Sequence, residues 1–301
     1  MQILITGGTG LIGRRLCAAL IAGGHELTVL SRRPQQVAQL CGNNVKPMSS
    51  LDEYLPDSRF DAVINLVGEP IVDARWTERR KQLLRQSRIE LTEALLQKIH
   101  QARYRPKVFL SGSAIGFYGD GGDVLLSEQS AAGGDFGAHL CVDWEAAAMT
   151  AASLGLRTCI LRTGLVLDSA GGMLKKMRLP FSLGLGARIG HGRQWMSWIH
   201  IQDYIAIVLF LLEHENAAGC FNMVAPEPVT NHQFTRLLGK ALHRPAIFVA
   251  PALLLKLAMG EMSELLLGGQ RVVPAKIQTL GYVFRYPSLL PALTDLLQST
   301  S

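Results

Sequence analysis

Three glycines spaced by three, Gly7, Gly10 and Gly13, stand between an apolar run, Gln2–Thr6, and an apolar-striped segment, Leu11–Ala22. At a strand-to-helix junction this spacing has a specific chemistry. The first glycine allows a tight turn, the second lets a diphosphate approach the backbone, and the third lets the helix pack closely on the sheet. The helix start adds unpaired N–H groups and about half a positive charge. Thr6-Gly7-Gly8-Thr9-Gly10-Leu11-Ile12-Gly13 therefore predicts a dinucleotide site, with Gly7, Thr9, Gly10, Leu11, Ile12 and Gly13 around the phosphates. The alternative is a plain tight turn between strand and helix.

The second apolar run, Glu26–Leu30, bears on which dinucleotide. An NAD site carries an acidic residue about 20 positions on, bonded to the ribose hydroxyls. Here Ser31, Arg32 and Arg33 follow the run instead. Two guanidiniums and a hydroxyl suit a 2′-phosphate, which an acid would repel. NADP(H) is expected over NAD(H), with two solvated loop arginines as the alternative.

Such a site needs a scaffold that gathers strand ends. Gln2–Thr6, Glu26–Leu30, Ala62–Val67, Lys107–Ser111 and Thr158–Arg162 are rich in Ile, Val and Leu without in/out alternation. Strands buried on both faces of a parallel sheet read this way. Helical patterns fill the gaps at Leu11–Ala22, Thr77–Gln101 and Ala138–Ser153. The alternation predicts an α/β fold, a doubly wound parallel sheet of Rossmann type. After Leu167 the chain turns glycine-rich and basic, resumes a strand-like step and apolar helix at Trp198–Leu212, and from Pro226 breaks into short proline-punctuated pieces. The expected division is a dinucleotide-binding domain of residues 1–167, rejoined by 198–225, and a smaller irregular substrate lobe from 168–197 and 226–301.

Composition narrows the setting. In 301 residues, 48% hydrophobic and 18% charged, there is too much apolar surface for a disordered chain. A net charge of +6 is a mild bias towards anionic ligands. Five cysteines without a C-x-x-C pair indicate neither a disulfide framework nor a zinc site. No leader pattern precedes the first run, and the longest apolar stretch, Ile205–Leu212, falls short of the roughly 20 residues a membrane span needs. A soluble cytoplasmic protein without a membrane partner is expected. The Arg75–Arg88 segment is rich in cations, but a nucleic-acid site would want further basic stripes and aromatics beside it. It reads as a solvated face, and no nucleic-acid partner is expected.

With these motifs in place, the chain resembles the extended short-chain dehydrogenase/reductases, the sugar-nucleotide epimerase and dehydratase superfamily. The likeness is carried by the glycine loop, Asp61-Ala62-Val63-Ile64-Asn65-Leu66-Val67-Gly68, Ser111-Gly112-Ser113-Ala114-Ile115-Gly116-Phe117-Tyr118-Gly119 and Trp198-Ile199-His200-Ile201-Gln202-Asp203. Within it, Gly68-Glu69-Pro70-Ile71, Cys141-Val142-Asp143-Trp144-Glu145 and the block Gly260–Leu266 with Gln270-Arg271-Val272-Val273-Pro274 are similar to the YfcH-type epimerase family proteins, whose substrate is unassigned. The resemblance implies a cofactor lined by Leu66, Val67, Gly68 and Glu69, with Arg162 counted among its contacts. It places Arg88 where the superfamily has a cofactor-facing asparagine, and it implies a monomer or homodimer. Ser113 stands at the catalytic serine, whose hydroxyl would hydrogen-bond a substrate carbonyl. The superfamily's Tyr-x-x-x-Lys pair is missing: Gly137 and Cys141 occupy those positions, and neither can replace them. Tyr118 is the nearest phenol by sequence and the candidate acid/base, which would require its pKa of about 10 to fall.

Weaker candidates have bland counterparts. Cys141 is a nucleophile or a small core residue, His200 a proton shuttle or a core histidine, and Trp195 and Trp198 pocket walls or packing. The function expected is an NADP(H)-binding oxidoreductase or epimerase-like enzyme acting on an unidentified small molecule. The alternative is a non-catalytic NADP(H)-binding sensor or scaffold.

Overall fold

A computed structural model describes residues 1–298; residues 299–301, the end of the expected substrate lobe, lie outside the described residues. Seven strands form one parallel sheet: β1 (Gln2–Thr6), β2 (Glu26–Leu30), β3 (Lys46–Met48), β4 (Ala62–Asn65), β5 (Val108–Ala114), β6 (Arg157–Thr163) and β7 (Gly219–Met223). Their order is β7-β6-β5-β4-β1-β2-β3. The fold is thus a doubly wound α/β sheet of Rossmann type, and the order reverses between β1 and β4. Ligands of such sheets bind outside the strand ends at that reversal.

The absence of alternation in the strands is explained by a core on each face. Leu4, Val63, Phe109 and Ile160 pack with Leu95, Leu96 and Ile99 of the helix Leu91–Gln101 and with Ala148 and Ala151 of the helix Phe136–Ser153. Ile3, Ile5, Ile64, Leu110 and Leu161 face the other way, against Leu16 and Leu20 of the first helix and Tyr204 and Val208 of the helix Ile201–Glu213. Both layers exclude water from the sheet, which is the main stabilising contribution.

β1, β2 and the first helix lie where the pattern predicts. The single helix expected over Thr77–Gln101 is a helix Glu78–Arg85, a π turn Gln86–Glu90 and a helix Leu91–Gln101. β3 escapes pattern reading because it has three residues, one of them Pro47. A proline lacks the N–H that an inner strand must donate, and β3 accordingly sits at the sheet edge.

Beyond the sheet, short strand pairs tie the later chain together. Trp198–His200 pairs with Leu165–Leu167, Ala187–Ile189 with Phe248–Ala250, and Leu125–Leu126 with Arg271–Val272. Asp203, at the start of the helix Ile201–Glu213, accepts from Tyr282 Oη at 2.9 Å and from the Arg285 and Tyr286 backbone N–H groups at 2.8 and 2.9 Å. One buried carboxylate thereby fixes the C-terminal strap.

Candidate functional site

The glycine loop owes its shape to sterics. Gly7 has φ +72°, and a Cβ there would lie 2.6 Å from Leu66 O. A Cβ on Gly13 would lie 2.3 Å from Gly7 O, so only glycine lets the first helix start against the loop. Gly10 is the exposed N-cap, no side chain caps this helix, and its first turn holds no acid. Uncapped N–H groups and the positive end of the helix dipole therefore face a cradle that side chains would fill. That is a fit for a dinucleotide's diphosphate. Beneath it, Thr6 Oγ1 donates to Asn65 Oδ1 at 2.6 Å and Asn65 Nδ2 to Thr92 Oγ1 at 2.8 Å, fastening β1, β4 and the neighbouring helix in fixed register.

Ser31, Arg32 and Arg33 leave the end of β2 on the same side of the sheet. Ser31 Oγ accepts from the Arg33 N–H at 3.1 Å. Arg32, its side chain 87% exposed, reaches Glu69 Oε1 at 2.5 Å, and Arg80 stands 3.7 Å from the other Glu69 oxygen. Leu66, Val67 and Glu69 are half-buried and Gly68 exposed in the loop after β4. The π turn, a feature that often marks functional sites, brings Arg88 over this loop. Arg88 Nη2 donates to Glu69 O at 2.8 Å, and its guanidinium lies 5.3 Å from the centroid of Trp144. Burial holds its pKa below the usual arginine value.

A buried polar chain occupies the ends of β5 and β6. Ser113 Oγ donates to Glu145 Oε1 at 2.6 Å. Arg162 grips Glu145 with both edges of its fork, Nε to Oε1 at 2.9 Å and Nη2 to Oε2 at 2.8 Å. Arg162 Nη1 donates to Tyr118 Oη at 3.0 Å, and Tyr118 donates on to Asn222 Oδ1 at 2.7 Å. Burial pulls the Arg162 pKa down, but the Glu145 carboxylate outweighs it and leaves the guanidinium more firmly charged than usual.

This geometry changes three sequence readings. Arg162 was expected at the cofactor; its fork is directed at Glu145, Tyr118 and the Glu128 carbonyl, and its side chain is only 5% exposed, so it turns inward and away from an open phosphate site. Tyr118 gains a neighbouring cation in Arg162, yet burial still pushes its pKa above the ordinary phenol value, the wrong direction for an acid/base at neutral pH. Ser113 has one proton, and Glu145 takes it. Towards a ligand it presents lone pairs, suited to accept from a hydroxyl and not to donate to a carbonyl.

The weaker candidates resolve towards structure. Burial drives the Cys141 thiol up to about 11, with the Glu145 charge adding to it, so it stays a thiol. His200 is buried: Nδ1 accepts from the Gln202 N–H at 3.1 Å as a helix cap, and the ring stacks 3.9 Å from Tyr286. Trp198 is core, with Nε1 donating to Glu227 O at 3.0 Å. Trp195 instead walls an open hollow of about 430 Å³ with Arg271, whose guanidinium lies 4.6 Å from its ring centroid. The cations of Arg75–Arg88 are a solvated face only in part: Arg75, Arg79 and Arg85 are exposed, but several are paired. Arg85 pairs with Asp143 and Lys81 with Glu261, each at 2.7 Å, and Arg75 donates to the Leu257 and Ala258 carbonyls.

Glu145 is the site residue that pattern reading missed. The signal was present: Gly137, Cys141 and Glu145 recur every four residues, so they share the helix face that the superfamily's tyrosine and lysine use. An acid on the buried face of an alanine-rich helix needs a partner, and Arg162 is that partner. Asn222 carried no such signal, since only folding brings β7 to Tyr118.

Comparison with known proteins agrees with this architecture. Residues 3–224 match the model of the NAD dependent epimerase/dehydratase family, and residues 250–296 match a domain of unknown function, DUF1731. An epimerase family protein of Mycobacterium leprae is 40% identical over 97% of this chain and 94% of its own length. One from Staphylococcus aureus is 38% identical over 99% of both. The crystal structure of human epimerase family protein SDR39U1 with NADPH superposes with a TM-score of 0.89 at 34% identity, covering 99% of each chain. No described helix is long and apolar enough to cross a membrane. The chain belongs to the NAD-dependent epimerase/dehydratase family, within its epimerase family proteins.

Proposed function

We propose that this protein is an NADP(H)-dependent oxidoreductase or epimerase-like enzyme acting on a small molecule that carries a hydroxyl or carbonyl. The carrying observation is the uncapped helix start behind Gly7, Gly10 and Gly13, whose shape a Cβ at Gly7 or Gly13 would destroy. The NADPH in the human relative supports the choice of cofactor.

In this reading the backbone N–H groups of Leu11, Ile12 and Gly13 hold the diphosphate, and Ser31, Arg32 and Arg33 hold the 2′-phosphate. Leu66, Val67 and Gly68 line the cofactor, with Arg88 behind them. When bound, the nicotinamide ring supplies or accepts hydride. Ser113 Oγ accepts the hydrogen bond of a substrate hydroxyl and orients it, while its own proton is shared with Glu145 Oε1. Arg162 keeps that carboxylate ionised and aimed. The substrate lies between the strand ends and the lobe of residues 168–197 and 226–301.

Calorimetric titration of the whole chain with NADPH and NADH tests the reading, followed by NADPH oxidation with a panel of carbonyl compounds and nucleotide sugars. Tighter binding of NADPH and turnover of one substrate class are expected. No heat with either nucleotide overturns it. A second reading, an NADP(H)-binding sensor without catalysis, is favoured by Gly137 and Cys141 standing where tyrosine and lysine would act. It requires NADPH binding without consumption together with an NADPH-dependent partner contact.

A further inference from the structure

Charge is distributed very unevenly in this chain. Residues 169–202 and 228–260 carry nine Lys and Arg and not one Asp or Glu, against 30 and 24 in the whole sequence, so the rest of the molecule is net acidic. The fold brings the two segments together. The strand Phe248–Ala250 pairs with Ala187–Ile189, Arg244 Nε donates to Ser182 O at 3.0 Å, and a Cβ on Gly190 would touch Ala252.

The same surface exposes large aliphatic side chains. The helix Ala252–Met259 buries none of its residues, and Leu253, Leu254 and Leu257 share one of its faces, Leu253 being 67% exposed. Ile247, 77% exposed, precedes it, and Leu179 and Leu183 project from the end of the helix Gly172–Ser182. Cations are interleaved with them. Lys176, Leu179 and Leu183 follow helical spacing, and Lys256 lies beside Leu253 and Leu257. Apolar residues clustered outside a fold mark an interaction site.

We propose, in place of the expectation of no membrane partner, that this face docks on a membrane surface containing anionic phospholipids, lying on it without spanning it. Leucines and an isoleucine enter the acyl boundary, and the lysines and arginines around them reach the phosphates, their stems lying along the apolar layer. A second copy of the chain is disfavoured, because two segments that carry nine cations and no acid repel their own image. Nucleic acid is disfavoured because aliphatic side chains neither stack on bases nor bond phosphates. This surface role is independent of nucleotide binding.

Flotation of the full chain with vesicles of about 30% phosphatidylglycerol in phosphatidylcholine, and with pure phosphatidylcholine, tests it. Binding is expected only to the anionic vesicles, and about ten-fold weaker for L253S/L254S/L257S, which keeps every charge. Because these side chains are exposed, the melting temperature is expected to hold. L179S/L183S, on a separate element, is the second variant and should also weaken binding. No binding to anionic vesicles overturns the proposal. So does binding that neither leucine variant weakens, or that an acidic peptide or single-stranded DNA at equal charge competes away completely. Unchanged NADPH affinity in the leucine variants separates this result from any failure of the nucleotide site.

Discussion

Ser113 Oγ and Glu145 Oε1 are 2.6 Å apart, with the serine at the end of β5 and the glutamate one helical turn beyond Cys141. The acid therefore occupies the face from which a tyrosine and a lysine act in the wider superfamily. Its charge is balanced by Arg162 on β6, so helix and sheet are joined through one buried ion pair.

Breaking that pair from one side is costly. Glu145→Ala leaves the Arg162 guanidinium buried without a counter-charge, and a loss of about 3–5 kcal/mol is expected in urea unfolding. Replacing both partners, as in E145L/R162M, should recover much of it. Equal losses for the single and double variants would show that the pair does not act as a unit.

The glycines separate binding from folding. Gly13→Ala puts a methyl against the Gly7 carbonyl and should destabilise by about 1–3 kcal/mol or more. At Gly10 the same methyl meets Gly7 O at 3.2 Å, a small adjustment, but it stands at the exposed, uncapped helix start where the diphosphate would bind. Gly10→Ala is expected to melt near the parent temperature while NADPH affinity falls about ten-fold or more. Calorimetry and thermal melts read the two effects separately.

Arg32→Ala with Arg33→Ala should weaken NADPH by about 10- to 100-fold and leave NADH nearly unchanged, because only NADPH carries the 2′-phosphate. An equal loss for both nucleotides would remove these residues from the 2′-phosphate site.

Tyr118→Phe deletes a hydroxyl that bridges Arg162 and Asn222. A stability loss of about 1–3 kcal/mol is expected, with turnover per folded molecule preserved. If turnover vanished while the melt stayed unchanged, the phenol would be the acid/base after all.

Acid should weaken the fold in two steps. Burial lowers the His200 pKa in the folded state, so the unfolded chain takes up its proton first. Stability then falls as pH drops below about 6.5. The Asp168 carboxylate is buried, which by itself would raise its pKa, but the Arg15 fork and the Ala170 N–H outweigh this and hold it below the ordinary aspartate value. Its contribution is present above about 4 and is lost as pH falls through the lowered value. Melting temperatures from pH 8 to about 3 should show both declines. His200→Asn should make the upper one shallower and Asp168→Asn the lower.

Five of the seven sheet strands, the glycine cradle and the sheet type were legible in the sequence because each is a local matter. Burial on both faces removes alternation from Gln2–Thr6 and Ala62–Asn65, and a turn that needs φ > 0 and no Cβ selects Gly7. The absence of a Tyr-x-x-x-Lys pair was equally a matter of reading residues. Side-chain partnership was not local. Ser113, Glu145, Arg162, Tyr118 and Asn222 come from three strands, a helix and a turn, spread over more than 100 positions. No periodicity reports which acid meets which guanidinium, since that depends on the register of β5 against β6 and on how Phe136–Ser153 packs across them. Residue types determined that charges had to be buried; only the tertiary packing decided that Arg162 pairs with Glu145.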